Sequence, residues 1–218
     1  MSAVQSPSSP RKLRGRPRGQ VTDAVRDAIL DEAERRFAAR GYSATSVREI
    51  ASAAGVNPAM VNYYFGSKFA LLCQVMERTL EPLAEAIAQM KARGHVSPAE
   101  ISQLLSSTIN RHPNLPVLMV REVMLPGGAM QKHFLQTMAP RLAGALPDIL
   151  ENEKQAGRLA PELKPEIVTL LLLALSVFPF IVRDVAEKGL GVDYDNVGLE
   201  HQERHISPQL EEGLSPRE

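Results

Sequence analysis

Arg48, Asn57 and Asn62 stand close together in the chain and carry hydrogen-bonding heads of the kind that read base edges. Arginine suits this task well, because its guanidinium offers guanine two parallel hydrogen bonds. Pro58, Ala59 and Met60, between the two asparagines, lack such donors and instead offer apolar surface to thymine methyl groups. Thr45, Tyr63, Tyr64 and Lys68 flank the set with hydroxyls and an ammonium that can hold phosphates, contacts that fix register on a duplex without carrying sequence information. These types and spacings suit non-covalent chemistry on double-stranded DNA.

Such side chains need a scaffold that presents them together. Residues 45–68 read TSVREIASAAGVNPAMVNYYFGSK. Val47, Ile50, Ala51 and Ala54 lie at helical spacing, and Ser46 with Glu49 forms a capping box at the start. Gly55 supplies a turn. Asn57 is a favoured N-cap, Pro58 fits the first helical position, and Val61 and Phe65, four apart, point back into a small core. The pattern predicts a helix-turn-helix whose second helix meets the major groove while the first crosses the backbone.

Gly41, Tyr42, the run from Thr45 to Ala51, the run from Ala54 to Val56, Tyr63, Phe65, Lys68, Leu71 and Leu72 form an ordered pattern over roughly residues 22–75 that resembles the TetR family of bacterial transcriptional regulators. Family members often carry Tyr-Tyr-His-Phe before the lysine, where this chain has Asn62, Tyr63, Tyr64 and Phe65, so two slots that commonly touch phosphate hold Asn62 and Tyr64. The resemblance places Arg48 at a slot that often reaches a base edge or phosphate. It implies an all-α fold: a disordered basic arm over residues 1–20, a three-helix DNA-binding domain over 21–68, and a helical body over 69–218 that dimerises and senses an effector. The last two helices are expected to pair with their symmetry mates, and the family's usual mode is repression of an operator released by a small ligand.

Composition agrees with this reading. The 218 residues carry no net charge, yet residues 1–70 hold 11 Lys and Arg against 6 Asp and Glu, and the remainder holds 14 against 19. A basic head on an acidic body is the distribution expected of a DNA-binding protein. The lone Cys73 argues against a disulfide framework. The N-terminus is rich in Ser, Pro and Arg with no apolar stretch, so no secretory signal is read and a cytoplasmic location is expected. Residues 167–182 are interrupted by Ser176 and Pro179 and fall short of the ~20 residues a bilayer requires, which predicts a buried helix and no membrane partner.

All five charges in residues 1–20 are basic. Arg14, Arg16 and Arg18 sit in an RGRPR run resembling an AT-hook, an extended segment suited to the narrow minor groove of A·T-rich DNA; a merely solubilising tail is the alternative. Thr22 and Asp23 are expected to start the first helix, in which Val25, Ile29, Ala33 and Phe37 recur every four residues. A long amphipathic helix should follow Lys68. Further helices are expected over 98–110, 115–124, 130–156 (bent at Pro140 and Pro147), 165–188 and 197–212. The helix over 165–188 is apolar on every side in its middle, so a partner subunit is its natural cover.

Met119, Met124, Phe134, Met138 and Phe178 offer flexible apolar lining for an apolar or amphipathic effector, or else plain core; His112, Arg121, Glu122 and His133 are the polar groups nearest in sequence that can orient such a ligand. Two other classes stay open. A DNA-bound scaffold that answers to a protein partner shares the same head. A metal enzyme draws only on His201 and His205, four apart on an expected helix, but Gln202 stands where a zinc protease needs Glu and no third ligand lies nearby. No cofactor is expected.

Overall fold

Ile29, Ala33 and Phe37, each fully buried, make α1 (Arg18–Arg40) the brace of the N-terminal head. The computed structural model describes residues 18–194 and 207–216. α1 begins four residues before Thr22 and ends at Gly41, whose φ of +83° is costly for a side chain with a Cβ. The short helices α2 (Val47–Ala53) and α3 (Pro58–Phe65) close the head by burying Ile50, Ala51, Val61 and Phe65 on α1 and α4. Each large apolar side chain so buried stabilises the fold by about 1.5–3 kcal/mol.

α4 (Lys68–Arg93) joins head to body. Its first turns place Leu71, Leu72 and Val75 in the same core as α1, and its later turns carry Leu83, Ala84 and Ile87 into the body, where it packs on α5 (Pro98–Arg111) and α8 (Leu146–Gln155). The helix runs through Pro82, which lies exposed.

The expected helix over 115–124 changes character midway. α6 (Leu115–Met119) gives way to a π turn at Val120–Met124. The expected bent helix over 130–156 is two helices, α7 (Gln131–Thr137) and α8, because the chain turns through residues 138–145. There Gly144 lies against Pro140, and a Cβ would come within 2.8 Å of its carbonyl oxygen. Pro147 belongs to the first turn of α8, where a missing N–H costs nothing.

α9 (Pro165–Ile181) is shorter than the expected 165–188 helix. Beyond Val182 the chain continues as a single turn α10 (Arg183–Val185) and a second π turn at Ala186–Leu190. Val168, Thr169, Leu172 and Ser176 face α5 and α8, with the hydroxyls of Ser102 and Ser176 3.0 Å apart inside that contact. Ile167, Leu170, Leu171, Leu175 and Phe178 point away and are left 41–62% exposed. α11 (Ser207–Leu214) packs on α5, and the Ala160 amide donates to the Leu214 carbonyl at 2.9 Å. Most of the expected 197–212 helix, with His201 and His205, lies outside the described residues, as do Arg14, Arg16 and the side chain of Arg18. No single described helix is long and apolar enough to cross a membrane; only α9 taken with the segment to Leu190, bent by 65°, reaches that length.

Candidate nucleic-acid interface

Ser46 adopts an extended conformation (φ −103°, ψ 152°) and caps α2: its hydroxyl accepts from the Glu49 amide at 3.2 Å and its own amide donates to Glu49 Oε2 at 2.8 Å. The Ser46 amide, then its hydroxyl and the Arg40 guanidinium, hold the Glu49 carboxyl down at about 2. This closed cap orients α2 so that Ile50 and Ala51 face inward while Arg48 is exposed. Arg48 has no hydrogen-bond or ion-pair partner among the described residues, whereas Arg40 is already bonded to Glu49.

Gly55 turns the chain at φ +67°. Asn57 then caps α3, its Oδ1 accepting from the Ala59 amide at 2.9 Å, so its acceptor is committed to the helix rather than to a base. Val61 and Phe65 anchor the helix. On the opposite side Pro58, Ala59, Asn62 and Tyr63 are exposed, Tyr63 at 82%, and Met60 is half-buried. Tyr64 is half-buried beneath Tyr63, ring centres 5.3 Å apart and edge-on, which stiffens the Tyr63 ring on the outer face.

Two expected phosphate contacts turn inward. Thr45 is buried at 2% exposure and its hydroxyl donates to the Gly41 carbonyl at 2.8 Å. Lys68 Nζ donates to the carbonyls of Tyr42 (2.8 Å) and Thr45 (2.9 Å) and lies 4.1 Å from the centre of the Tyr42 ring. Lys68 therefore fastens the loop between α1 and α2 to the start of α4, while the Thr45 hydroxyl closes that loop on itself at Gly41. For the lysine, periodicity could not distinguish this from an outward role, because its partners lie 23 and 26 residues away.

The tentative ligand set does not converge either. Phe134 and Met138 are core residues, Met119 is half-buried against that core, and Met124 and Phe178 are 55% and 59% exposed. A cleft of about 200 Å³ is lined instead by His95, Ser97, Pro98, Glu153, Arg158, Leu159, Leu214 and Ser215, beyond the end of α4 remote from the head. The polar groups expected to orient a ligand have other duties. His112 Nδ1 lies 3.4 Å from the Thr79 hydroxyl and His133 packs edge-on against Phe69. Arg121 and Glu122 reach the head, donating to the Ala38 carbonyl and accepting from the Tyr42 amide, each at 2.8 Å. Among the described residues no group of three or more His, Cys, Asp or Glu side chains is placed to hold a metal.

A capped helix, a glycine turn and a second helix with one anchored and one bare face, set on a helical body, define a helix-turn-helix transcription regulator. Residues 29–75 match the family model described as bacterial regulatory proteins, tetR family. The helix-turn-helix head of this chain is thus similar to that family's. The chain is 25% identical over 190 residues to the HTH-type transcriptional repressor NicS of Pseudomonas putida, covering 81% of this chain and 90% of that one. Over 77 residues it is 43% identical to the HTH-type transcriptional regulator BetI of Rhizobium meliloti, 35% of this chain and 38% of that one. The fold is that of HlyIIR, a hemolysin II transcriptional regulator, with a TM-score of 0.67 at 20% identity, 90% of this chain and 99% of that one being covered. These are DNA-binding transcription regulators, and the enzyme reading falls away.

Proposed function

We propose that this chain is a repressor that binds a near-palindromic operator as a homodimer and leaves it when a small apolar or amphipathic molecule binds the body. The observation that carries the DNA reading is the bare face of α3, with Pro58, Ala59, Asn62 and Tyr63 exposed beside an unpaired Arg48. In this reading Arg48 and Asn62 supply hydrogen bonds to bases, Ala59 and Met60 pack on thymine methyls, and Tyr63 holds phosphate. Residues 21–68 form the head, residues 69–218 the body, and residues 1–20 an arm whose Arg14, Arg16 and Arg18 add counterion-releasing contacts along the minor groove. The exposed apolar stripe of α9 supports dimerisation along that helix. Its operator places the protein in the cytoplasm.

A second reading, a DNA-bound regulator answering to a protein partner, draws support from the tight burial of Phe134 and Met138, which leaves the middle of the body filled with its own side chains. The test is to select bound sequences from a random DNA pool, then screen small molecules for release. Two half-sites about one helical turn apart, ~34–36 Å or a multiple, are expected. Arg48→Ala should relax preference at a single position by about 1–3 kcal/mol. An effector hit that binds equally well with and without saturating operator would sink the induction reading, because linkage makes the coupling reciprocal.

A further inference from the structure

Glu34, Ala38 and Tyr42 recur every four residues along one side of α1 and the loop that leaves it. Each is held by a residue flanking α6, Asn114 before it and Arg121 and Glu122 in the π turn after it. Asn114 Nδ2 donates to Glu34 Oε1 at 3.1 Å, Arg121 Nη1 to the Ala38 carbonyl at 2.8 Å, and the Tyr42 amide donates to Glu122 Oε1 at 2.8 Å. The partners are 80 to 83 residues apart in sequence. We infer that Asn114, Arg121 and Glu122 are positioning residues for operator binding: a three-point clamp through which the body sets the angle of the head. This rests on the dimeric-operator reading above and deepens it.

The chemistry of each contact suits a clamp rather than incidental surface pairing. Ala38 contributes one of the last carbonyls of α1, which have no partner inside the helix, and a guanidinium at that end also meets the negative pole of the helix. Gly41 lets the Arg121 chain pass, since a Cβ there would stand 3.1 Å from its Cδ. Glu122 is 5% exposed. Its other carboxyl oxygen accepts from the Ala129 amide at 3.4 Å, and its carbonyl accepts from the Met130 amide at 2.8 Å. Gly128 makes that wrap possible, because a Cβ would lie 2.4 Å from the Glu122 carbonyl oxygen. Met130 in turn is fully buried, its sulfur 3.6 Å from the sulfur of Cys73 on α4.

Tyr42 is thus tied on both sides: its amide donates to Glu122 of the body and its carbonyl accepts from Lys68 of the head. The clamp is built on the π turn at Val120–Met124, where one residue more than an α-turn allows is accommodated. Passing from π to α register rotates a side chain by about 100° about the axis, so Glu122 cannot keep Tyr42, Ala129 and Met130 in both registers. The π register of this turn is therefore the one that holds the head.

The experiment uses the full-length dimer and the operator obtained by selection, with its half-sites moved apart one base pair at a time. In the double variant Asn114→Ala/Arg121→Ala, and in Glu122→Ala, the preference for the native spacing should fall by about fivefold or more, within the range of ordinary coupling energies. The salt slope on non-specific DNA should stay unchanged, since no phosphate contact is lost. Glu122→Gln keeps an acceptor for the Tyr42 amide and should retain the preference, and that amide should exchange with solvent faster in Glu122→Ala than in Glu122→Gln. Should Glu122→Ala fail to fold, the double variant, whose exposed arginine and half-buried asparagine leave the core intact, decides alone. Unchanged spacing preference in the folded double variant overturns the clamp. A wild-type protein that selects no spaced half-sites sinks the dimeric reading and the inference with it, an outcome distinct from a spaced operator indifferent to these substitutions.

Discussion

Lys68 and Tyr42 are joined twice: the lysine Nζ donates to the tyrosine carbonyl at 2.8 Å and rests 4.1 Å above the centre of its ring. A cation so placed holds a loop in shape. Lys68→Ala should cost about 1–3 kcal/mol of stability by leaving the Tyr42 and Thr45 carbonyls without their donor. Operator affinity should drop while the slope of log K against log salt stays put. A slope smaller by about 1 in a salt titration would instead restore the lysine to a phosphate.

Ala174 and Leu172 lie two residues apart on α9 and should answer differently to arginine. Ala174 is exposed among Leu170, Leu171 and Phe178, so Ala174→Arg is expected to give a folded monomer that fails to bind operator. Leu172 is fully buried against the body, and Leu172→Arg places an unpaired charge in the core, at a cost of several kcal/mol. Sedimentation together with thermal melting separates the two outcomes. A dimeric, operator-binding Ala174→Arg protein would move the interface off α9.

Removing residues 1–17 deletes Arg11, Lys12, Arg14 and Arg16 and leaves α1 whole. The salt slope should fall by up to about 3.6 while the selected sequence stays the same. Fluorescence anisotropy at several salt concentrations measures this, and an unaltered slope would reduce the arm to a solubility device.

Glu153 is the acid-sensitive point of the body. Burial pushes its carboxyl up, but hydrogen bonds from Arg158, the Val96 amide and His95 outweigh that and hold it down at about 2. Because its pKa is depressed in the folded state, its contribution is complete above the ordinary carboxylate range and is lost as pH falls from about 4.5 towards 2. Glu153→Gln should therefore lower the midpoint of denaturant unfolding at pH 7 and narrow the gap from wild type as pH drops through that window. A gap independent of pH would assign the loss to packing alone.

The parts of this fold that announce themselves in the sequence are those whose causes are local. Ser46 and Glu49 are three residues apart, Asn57 and Ala59 two, and both caps stand where the spacing places them. The brace of Ile29, Ala33 and Phe37 is likewise legible, being a single helix face. What stayed hidden depends on distant partners. Nothing near Glu122 reveals that its acceptor role is for Tyr42, 80 residues earlier, and nothing in the run from Leu115 to Met124 marks the change from α to π. The division of residues 130–156 turns on how closely Gly144 approaches Pro140, which a helical reading of two prolines as mere bends does not contain.

The bare stripe of α9 has a consequence for dosage. If a head engages its operator only as one of a pair, then in protein more dilute than the dimer's dissociation constant the binding species varies as the square of chain concentration, and folding stability becomes concentration-dependent as well. Halving synthesis would then leave the operator about fourfold less served in that regime. On that reading, a row of leucines and a phenylalanine on one helix would make the number of chains in the cell a regulatory input alongside any effector.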